Sequence, residues 1–268
     1  MTQEIKRIVV PLDAVSETAT AIDTAARLAA RWRLPLHGIF IEDEELIGLA
    51  GLPFARQVTL GTGLEPLTRD EVENHLRAFA ERARREVAAA ADQHNVKWSF
   101  EVVRGPLADQ LGGEHDLVVA GAATRPIGDH FRVSSRWWSW LEAIARPFLL
   151  AKREWETGGS VFTLLRRRGP ESARTLDISA QIAAFHSGRL TVAGTPDLAA
   201  AKDFDAWVSG LLEGHSLSLQ TEPAALEPTA LRRRIVELDC RLLVLEATDE
   251  DDLRELVEHL ACDVLIIR

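Results

Sequence analysis

The chain has 268 residues, 46% of them hydrophobic, with 41 acidic against 31 basic side chains and a formal net charge of −10. That length and apolar content suit one large or two modest globular domains, and the acidic balance argues against a protein that binds by neutralising nucleic-acid phosphates. Two cysteines exclude a disulfide framework and suit a reducing compartment. No run approaches the roughly 18 apolar residues of a spanning helix, so the expectation is a cytoplasmic protein with neither nucleic acid nor membrane among its partners.

The opening residues lead straight into a strand at Ile8-Val9-Val10-Pro11-Leu12, with nothing resembling a signal peptide. Asp13-Ala14-Val15-Ser16 is a turn offering Ser16 as a helix cap, and Ala21, Ala25, Leu28 and Ala29 mark the buried face of the helix that follows. Leu36-His37-Gly38-Ile39-Phe40-Ile41 reads as a second strand. From Glu42 to Pro66 the periodicity stops, which marks a lid, a binding loop or disorder. Its acidic start, Glu42 to Glu45, reads as solvated, and its apolar part from Leu46 to Phe54 needs cover, from a neighbouring half or subunit or by lying over the strand ends. A long helix follows, with Thr68 as cap and Glu71 three residues on. Then come a strand at Lys97–Val103, a short helix opened by Gly105-Pro106, a buried strand at Asp116–Gly121, a Trp-rich helix and a closing strand, Pro147-Phe148-Leu149-Leu150. Trp137, Trp140, Leu141 and Ile144 share the core face of the Trp-rich helix, with Trp138 off it.

The order repeats in the second half. Ile22-Asp23 and Leu28-Ala29 match Leu176-Asp177 and Ile182-Ala183, an offset that sets Ile8–Asp13 against Phe162–Arg167 and so Asp13 against Arg167. Asp116–Val119 matches Arg241–Val244, which sets Gly121 against Glu246, and Pro147–Leu150 matches Asp263–Ile266. The division falls in the polar, glycine-ended stretch 154–159, giving units at 1–154 and 159–268. A tandem repeat of this kind pairs about a pseudo-twofold axis.

The set Ile8–Asp13 with Ser16 and Glu17, Leu36-His37, Gly105-Pro106, Asp116–Gly121 and Ala145–Leu150, with Leu260–Ile267 in the second half, resembles the universal stress protein family in two copies. The resemblance implies an α/β fold of two tandem doubly wound, Rossmann-like parallel sheets, each of strand order 3-2-1-4-5, and in one branch ATP at the ends of strands one and four. In that branch an Asp after the first strand holds the adenosine end, and Asp13 matches it. The branch's phosphate loop runs Gly-x-x-Gly and, after a spacer, Gly-Ser or Gly-Thr. Gly121 matches the first glycine and Ser135 the final hydroxyl, but Thr124 and Ser134 replace the other two glycines.

The implied nucleotide site is Asp13, Gly121, Thr124, Arg125, Ser134 and Ser135, with Gly38 of the second strand as a further candidate. Arg125 or Arg132 would supply charge, and His130 also lies in this loop. The alternative is a relic loop in which Asp13 caps a turn, a serine caps the next helix and the arginines are solvated. In the second half Glu246 would repel a triphosphate, so no ATP is expected there. Arg166-Arg167-Arg168 is either solvated, an anion site or a partner for acids of the other half. Three functions remain open: a stress-response binding protein, with ATP or another small molecule in the N-terminal half; an adaptor that binds protein partners or self-associates through 42–66; and a nucleotide-hydrolysing enzyme, for which no catalytic residue is evident. Scattered histidines give no metal site. Cys240 and Cys262 precede neighbouring strands and are expected as reduced, buried thiols.

Overall fold

Apolar runs without polar alternation are satisfied only in a sheet covered on both faces, and that is where they lie in a computed structural model of the chain. The structure describes residues 5–14, 18–50, 52, 56–59, 63–111, 116–121, 137–144, 146–155, 158–224, 228–246, 257 and 260–268. The first half runs β1 (Arg7–Leu12), α1 (Ala19–Trp32), β2 (Leu36–Glu42), α2 (Glu44–Ala50), β3 (Arg56–Thr59), β4 (Gly63–Pro66), α3 (Arg69–His94), β5 (Trp98–Arg104), α4 (Leu107–Gln110), β6 (Asp116–Gly121), α5 (Trp137–Ala143) and β7 (Phe148–Ala151). The second runs β8 (Ser160–Leu165), α6 (Pro170–His186), β9 (Arg189–Gly194), α7 (Pro196–Ala199), α8 (Phe204–Leu211), β10 (Ser218–Pro223), α9 (Pro228–Glu237), β11 (Cys240–Glu246) and β12 (Asp263–Ile267).

These strands form one ten-stranded sheet, β10-β9-β8-β11-β12-β7-β6-β1-β2-β5, beside a separate β3-β4 hairpin. Each half has the order 3-2-1-4-5 with parallel pairing throughout. The halves meet edge to edge through an antiparallel pair in which Leu149 of β7 faces Leu265 of β12. One core carries the buried sides of α1, α3, α6 and α8, and a second on the opposite face carries Leu107, Trp137, Trp140, Leu141, Ile144, Leu231 and Ile235. Both cores draw on both halves, so the pseudo-twofold passes through the β7-β12 pair perpendicular to the sheet.

The face assignment corrects the repeat register. Ile8, Val10 and Leu12 point into the first core with Val161 and Leu165, whereas Phe162 and Leu164 point into the second with Val9. Leu12 therefore corresponds to Leu165, and the counterpart of Asp13 is Arg166, not Arg167. Ile22 and Leu176 still match, both buried on the first-core side, so the extra residue lies between strand and helix in the second half.

Local chemistry sets the helix ends. Thr68 and Glu71 form the expected reciprocal cap, the Thr68 N–H donating to Glu71 Oε2 at 3.1 Å and the Glu71 N–H to Thr68 Oγ1 at 3.4 Å. The cap position of α1 is Thr18, and Ser16 lies outside the described residues. The stretch from 42 to 66 is not structureless. Asp43 Oδ1 accepts the Leu46 N–H at 3.1 Å and starts α2, Ile47 and Ala50 pack on Val72 and Leu76 of α3 together with Ala14, and β3 pairs with β4. For Ile47 and Ala50 the cover comes from the chain's own α3.

The polar stretch between the halves hides an anchor. Trp155 is 3% exposed, its ring 4.5 Å from that of His186 and 6.2 Å from that of Phe185. Gly159 then turns the chain at φ +70°, where a Cβ would lie 2.1 Å from Arg241 Cγ and 2.9 Å from the Asp239 carbonyl oxygen. Only glycine fits there. At the seam, Asp263 Oδ1 accepts the backbone N–H groups of Lys152 at 2.7 Å and Arg153 at 3.2 Å, and the Lys152 ammonium donates to the Leu260 carbonyl at 2.9 Å and to that of Val257.

Candidate functional site

A doubly wound sheet has its crevice where the crossovers diverge at the carboxyl ends of adjacent strands. In the first half that is between β1 and β6, which run side by side from Arg7 and Asp116. The structure places two of the expected site residues there. Asp13, 8% exposed, follows β1, and Gly121, buried, is the last residue of β6. Ala14, next to Asp13, packs with Ile47, Ala50, Val72 and Leu76, so α2 and α3 wall this end of the crevice. Thr124, Arg125, Ser134 and Ser135, with His130 and Arg132, lie outside the described residues.

Gly38 is not brought to this pair. It sits mid-strand, paired with Val10 and Phe100, and a Cβ there would lie 2.8 Å from Phe100 Cδ2 and 3.2 Å from Val87 Cγ2. The missing side chain lets α3 approach the sheet. Gly38→Val is expected to overpack that contact and cost about 1–3 kcal/mol, read as a lower urea midpoint; an unchanged midpoint would show that α3 and Phe100 yield freely.

The second crevice lies between β8 and β11, and there the sequence has inserted its own anion. Glu246 is 8% exposed, its Oε2 accepts the Arg166 backbone N–H at 3.2 Å, and its Oε1 is buried without a hydrogen-bond partner among the described residues. In the first half the matching position is Gly121, with no side chain at all. Two side chains of the arginine triplet pair within their own half. Arg167 pairs with Glu171 one helical turn on, and Arg168 forks onto Asp203 at 2.6 and 2.9 Å while its guanidinium lies 5.2 Å from the Trp207 ring. That hydrogen bonding raises the Arg168 pKa and lowers that of Asp203.

Other polar groups gather on the second-core face, Arg7, Asp116 and His37 at the amino ends of their strands. Asp116, 3% exposed, accepts from Arg7 Nε at 3.0 Å and Nη2 at 2.8 Å and pairs with Arg146 at 3.4 Å; its hydrogen bond raises the Arg7 pKa. His37, buried on β2, has Ser99 Oγ 2.7 Å from Nδ1 and Glu101 Oε1 2.9 Å from Nε2. Parallel register, and not sequence proximity, joins positions 37, 99 and 101 in this link between strands, so the chain order gives no signal of it. A cavity of about 330 Å³ opens beside β10 and α9 over Phe162, Ala224 and Leu231. Its rim is closed by Arg234 on Glu222 at 2.8 and 2.5 Å. Trp137, Trp140, Leu141 and Ile144 are buried as the helical spacing requires, and Trp138, half-buried, meets the Trp137 ring edge-on at 5.2 Å. Among the described residues no cluster of three or more His, Cys, Asp or Glu has the arrangement to hold a metal ion, and no helix is long and apolar enough to cross a membrane.

No family model and no curated protein sequence matches the chain. Solved structures do. A universal stress protein from Archaeoglobus fulgidus DSM 4304 superposes with a TM-score of 0.67 at 10% identity, covering 99% of this chain and 97% of that one. A functionally unknown protein from Pseudomonas aeruginosa PAO1 gives 0.63 at 15% identity, over 99% of this chain and 93% of its own. The cytoplasmic domain of a prokaryotic cation chloride cotransporter gives 0.50 at 11% identity, over 97% and 94%. Strand order, layer arrangement and these full-length likenesses agree: the chain has the universal stress protein fold, with its 3-2-1-4-5 sheet present twice.

Proposed function

We infer that the chain is a cytoplasmic stress-response binding protein in which residues 1–154 form the ligand-binding unit and residues 159–268 a companion unit that does not take nucleotide. The ligand class that fits best is an adenine nucleotide such as ATP, held at the β1-β6 crevice. The observation that carries this reading is the contrast between the crevices: a buried Asp13 after β1 and the side-chain-free Gly121 at the end of β6 in one, and Glu246 in the place matching Gly121 in the other. Asp13 would accept hydrogen bonds from ribose or base, Gly121 would let the ligand approach the backbone, and Thr124, Arg125, Ser134 and Ser135 would supply the phosphate end. The work is binding, not turnover.

Calorimetric titration with ATP and magnesium, after mass spectrometry has established that the purified protein is empty, tests this. One site per chain is expected, lost in Asp13→Ala and Gly121→Val and kept in Glu246→Ala. Silence at millimolar ATP would overturn the nucleotide reading, and steady release of ADP would turn it into the hydrolytic one. A second reading, an adaptor binding protein partners or a second copy through 42–66, draws on Leu49 and Leu52, which are 51% and 39% exposed while Ile47 and Ala50 are buried. It gains if the empty protein ignores nucleotide.

A further inference from the structure

The two cysteines stand on the same side of the sheet. Cys240 opens β11 and Cys262 immediately precedes β12, and the two strands pair in parallel with Leu242 facing Asp263. An irregularity between Cys240 and Leu242 leaves Arg241 out of the β11-β8 register. Both cysteine side chains belong to the second core. The thiols are free and buried in that shared core on adjacent strands, and Cys240 Sγ lies 3.2 Å from the Leu242 carbonyl oxygen. The Lys152 ammonium is held beside Cys262 by the carbonyls of Val257 and Leu260. We propose that Cys240 and Cys262 form a modification site for hydroperoxides, a dithiol that closes to an intrachain disulfide.

The surroundings make the two sulfurs unequal. The Cys240 hydrogen bond, with the Lys152 charge, lowers the Cys262 pKa, and the same contact together with burial raises that of Cys240. Cys262, which follows by two residues the Leu260 carbonyl that holds the Lys152 ammonium, is assigned as the nucleophile. Its sulfur attacks the near oxygen of the hydroperoxide and breaks the O–O bond, giving a Cys262 sulfenic acid and, after proton uptake, an alcohol, or water when the oxidant is hydrogen peroxide. The Cys240 sulfur then attacks the sulfenic sulfur, the S–S bond forms, and hydroxide leaves and takes the Cys240 proton as water. Two thiols are oxidised by two electrons and one hydroperoxide is reduced. Burial sets the oxidant class: at 6% and 1% exposure the thiols are closed to bulky disulfides, which leaves an oxidant close to water in size.

The test is to treat the folded full-length chain with hydrogen peroxide, quench, unfold and alkylate. The expected result is loss of both alkylatable thiols, a mass lower by two hydrogens, and one unreduced peptide pair joining Cys240 to Cys262. In Cys240→Ser, dimedone is expected to trap a sulfenate on Cys262, and in Cys262→Ser to leave Cys240 unlabelled. The wild-type measurement stands without the variants, should either fail to fold. Full alkylation of both thiols after treatment, over-oxidation without a link, or dimedone on Cys240 in place of Cys262 would each overturn the assignment.

Discussion

Trp155→Ala is expected to lower stability by about 3–5 kcal/mol, the range for truncating a large buried aromatic, whereas Trp155→Phe is expected to stay within about 1 kcal/mol of the parent. The indole lies outside every strand and helix, yet it is 3% exposed and stacked near Phe185 and His186 at the end of α6. Its truncation leaves a void that the surrounding sheet and helix are too well paired to close. Phenylalanine keeps most of the ring contact and removes a buried Nε1 that has no hydrogen-bond partner among the described residues, which offsets part of the lost area. Urea unfolding followed by circular dichroism measures both. Equal losses in the two variants would mean that the indole nitrogen, and not packing, holds the connection.

Asp263→Asn is expected to make the protein more stable than the parent at about pH 8 and to flatten its stability below that pH. Burial pushes the Asp263 carboxyl up from 3.8 to about 6, against the amide hydrogen bonds of Lys152 and Arg153 and their positive charges, which pull it down. Between those two values the folded chain holds a proton that the unfolded chain has released. Stability from this group is therefore fully present below the unfolded value, falls as pH rises through the window, and is gone above the folded value. The shift of about two units corresponds to about 3 kcal/mol at most. Asparagine keeps an oxygen for the two amides and carries no charge to desolvate. Asp263→Ala strands both amides and is expected to destabilise at every pH. Denaturant midpoints from about pH 4 to about pH 8 decide it: an asparagine variant weaker than the parent at the upper end would show that the ionised form is favoured at the seam.

Much of this architecture is legible in the residues because burial on both faces leaves a distinct signature: Leu117-Val118-Val119-Ala120 and Leu242-Leu243-Val244-Leu245 read as strands without alternation, and both are fully covered. The same signature hides register. A run apolar at every position looks alike when shifted by one residue, although the shift exchanges its two faces, and that is how Arg167 was set against Asp13 where the fold sets Arg166. The stretch 42–66 was opaque for another reason. A seven-residue helix spans only two turns, too few for periodicity to emerge, and what buries it, Val72 and Leu76, lies on the next helix. At the crevices, Asp13, Gly121 and Glu246 were placed by strand-end logic, while the hydrogen bond from the Arg166 amide to Glu246 and the fork of Arg168 on Asp203 depend on contacts 80 and 35 residues apart in the chain.

The antiparallel meeting of β7 with β12 has an evolutionary corollary. Two identical half-length chains joined edge to edge would express every substitution twice, so altering one binding crevice would alter both. Here the same joint lies inside one polypeptide, and the stoichiometry of the two halves is fixed at synthesis. One crevice is free to keep glycine while the other acquires glutamate, and no mispaired particle with two of either kind arises from a single chain. The tandem sheet thus behaves as an obligate heterodimer encoded by one reading frame, with one half open to specialise while the other preserves the shared core.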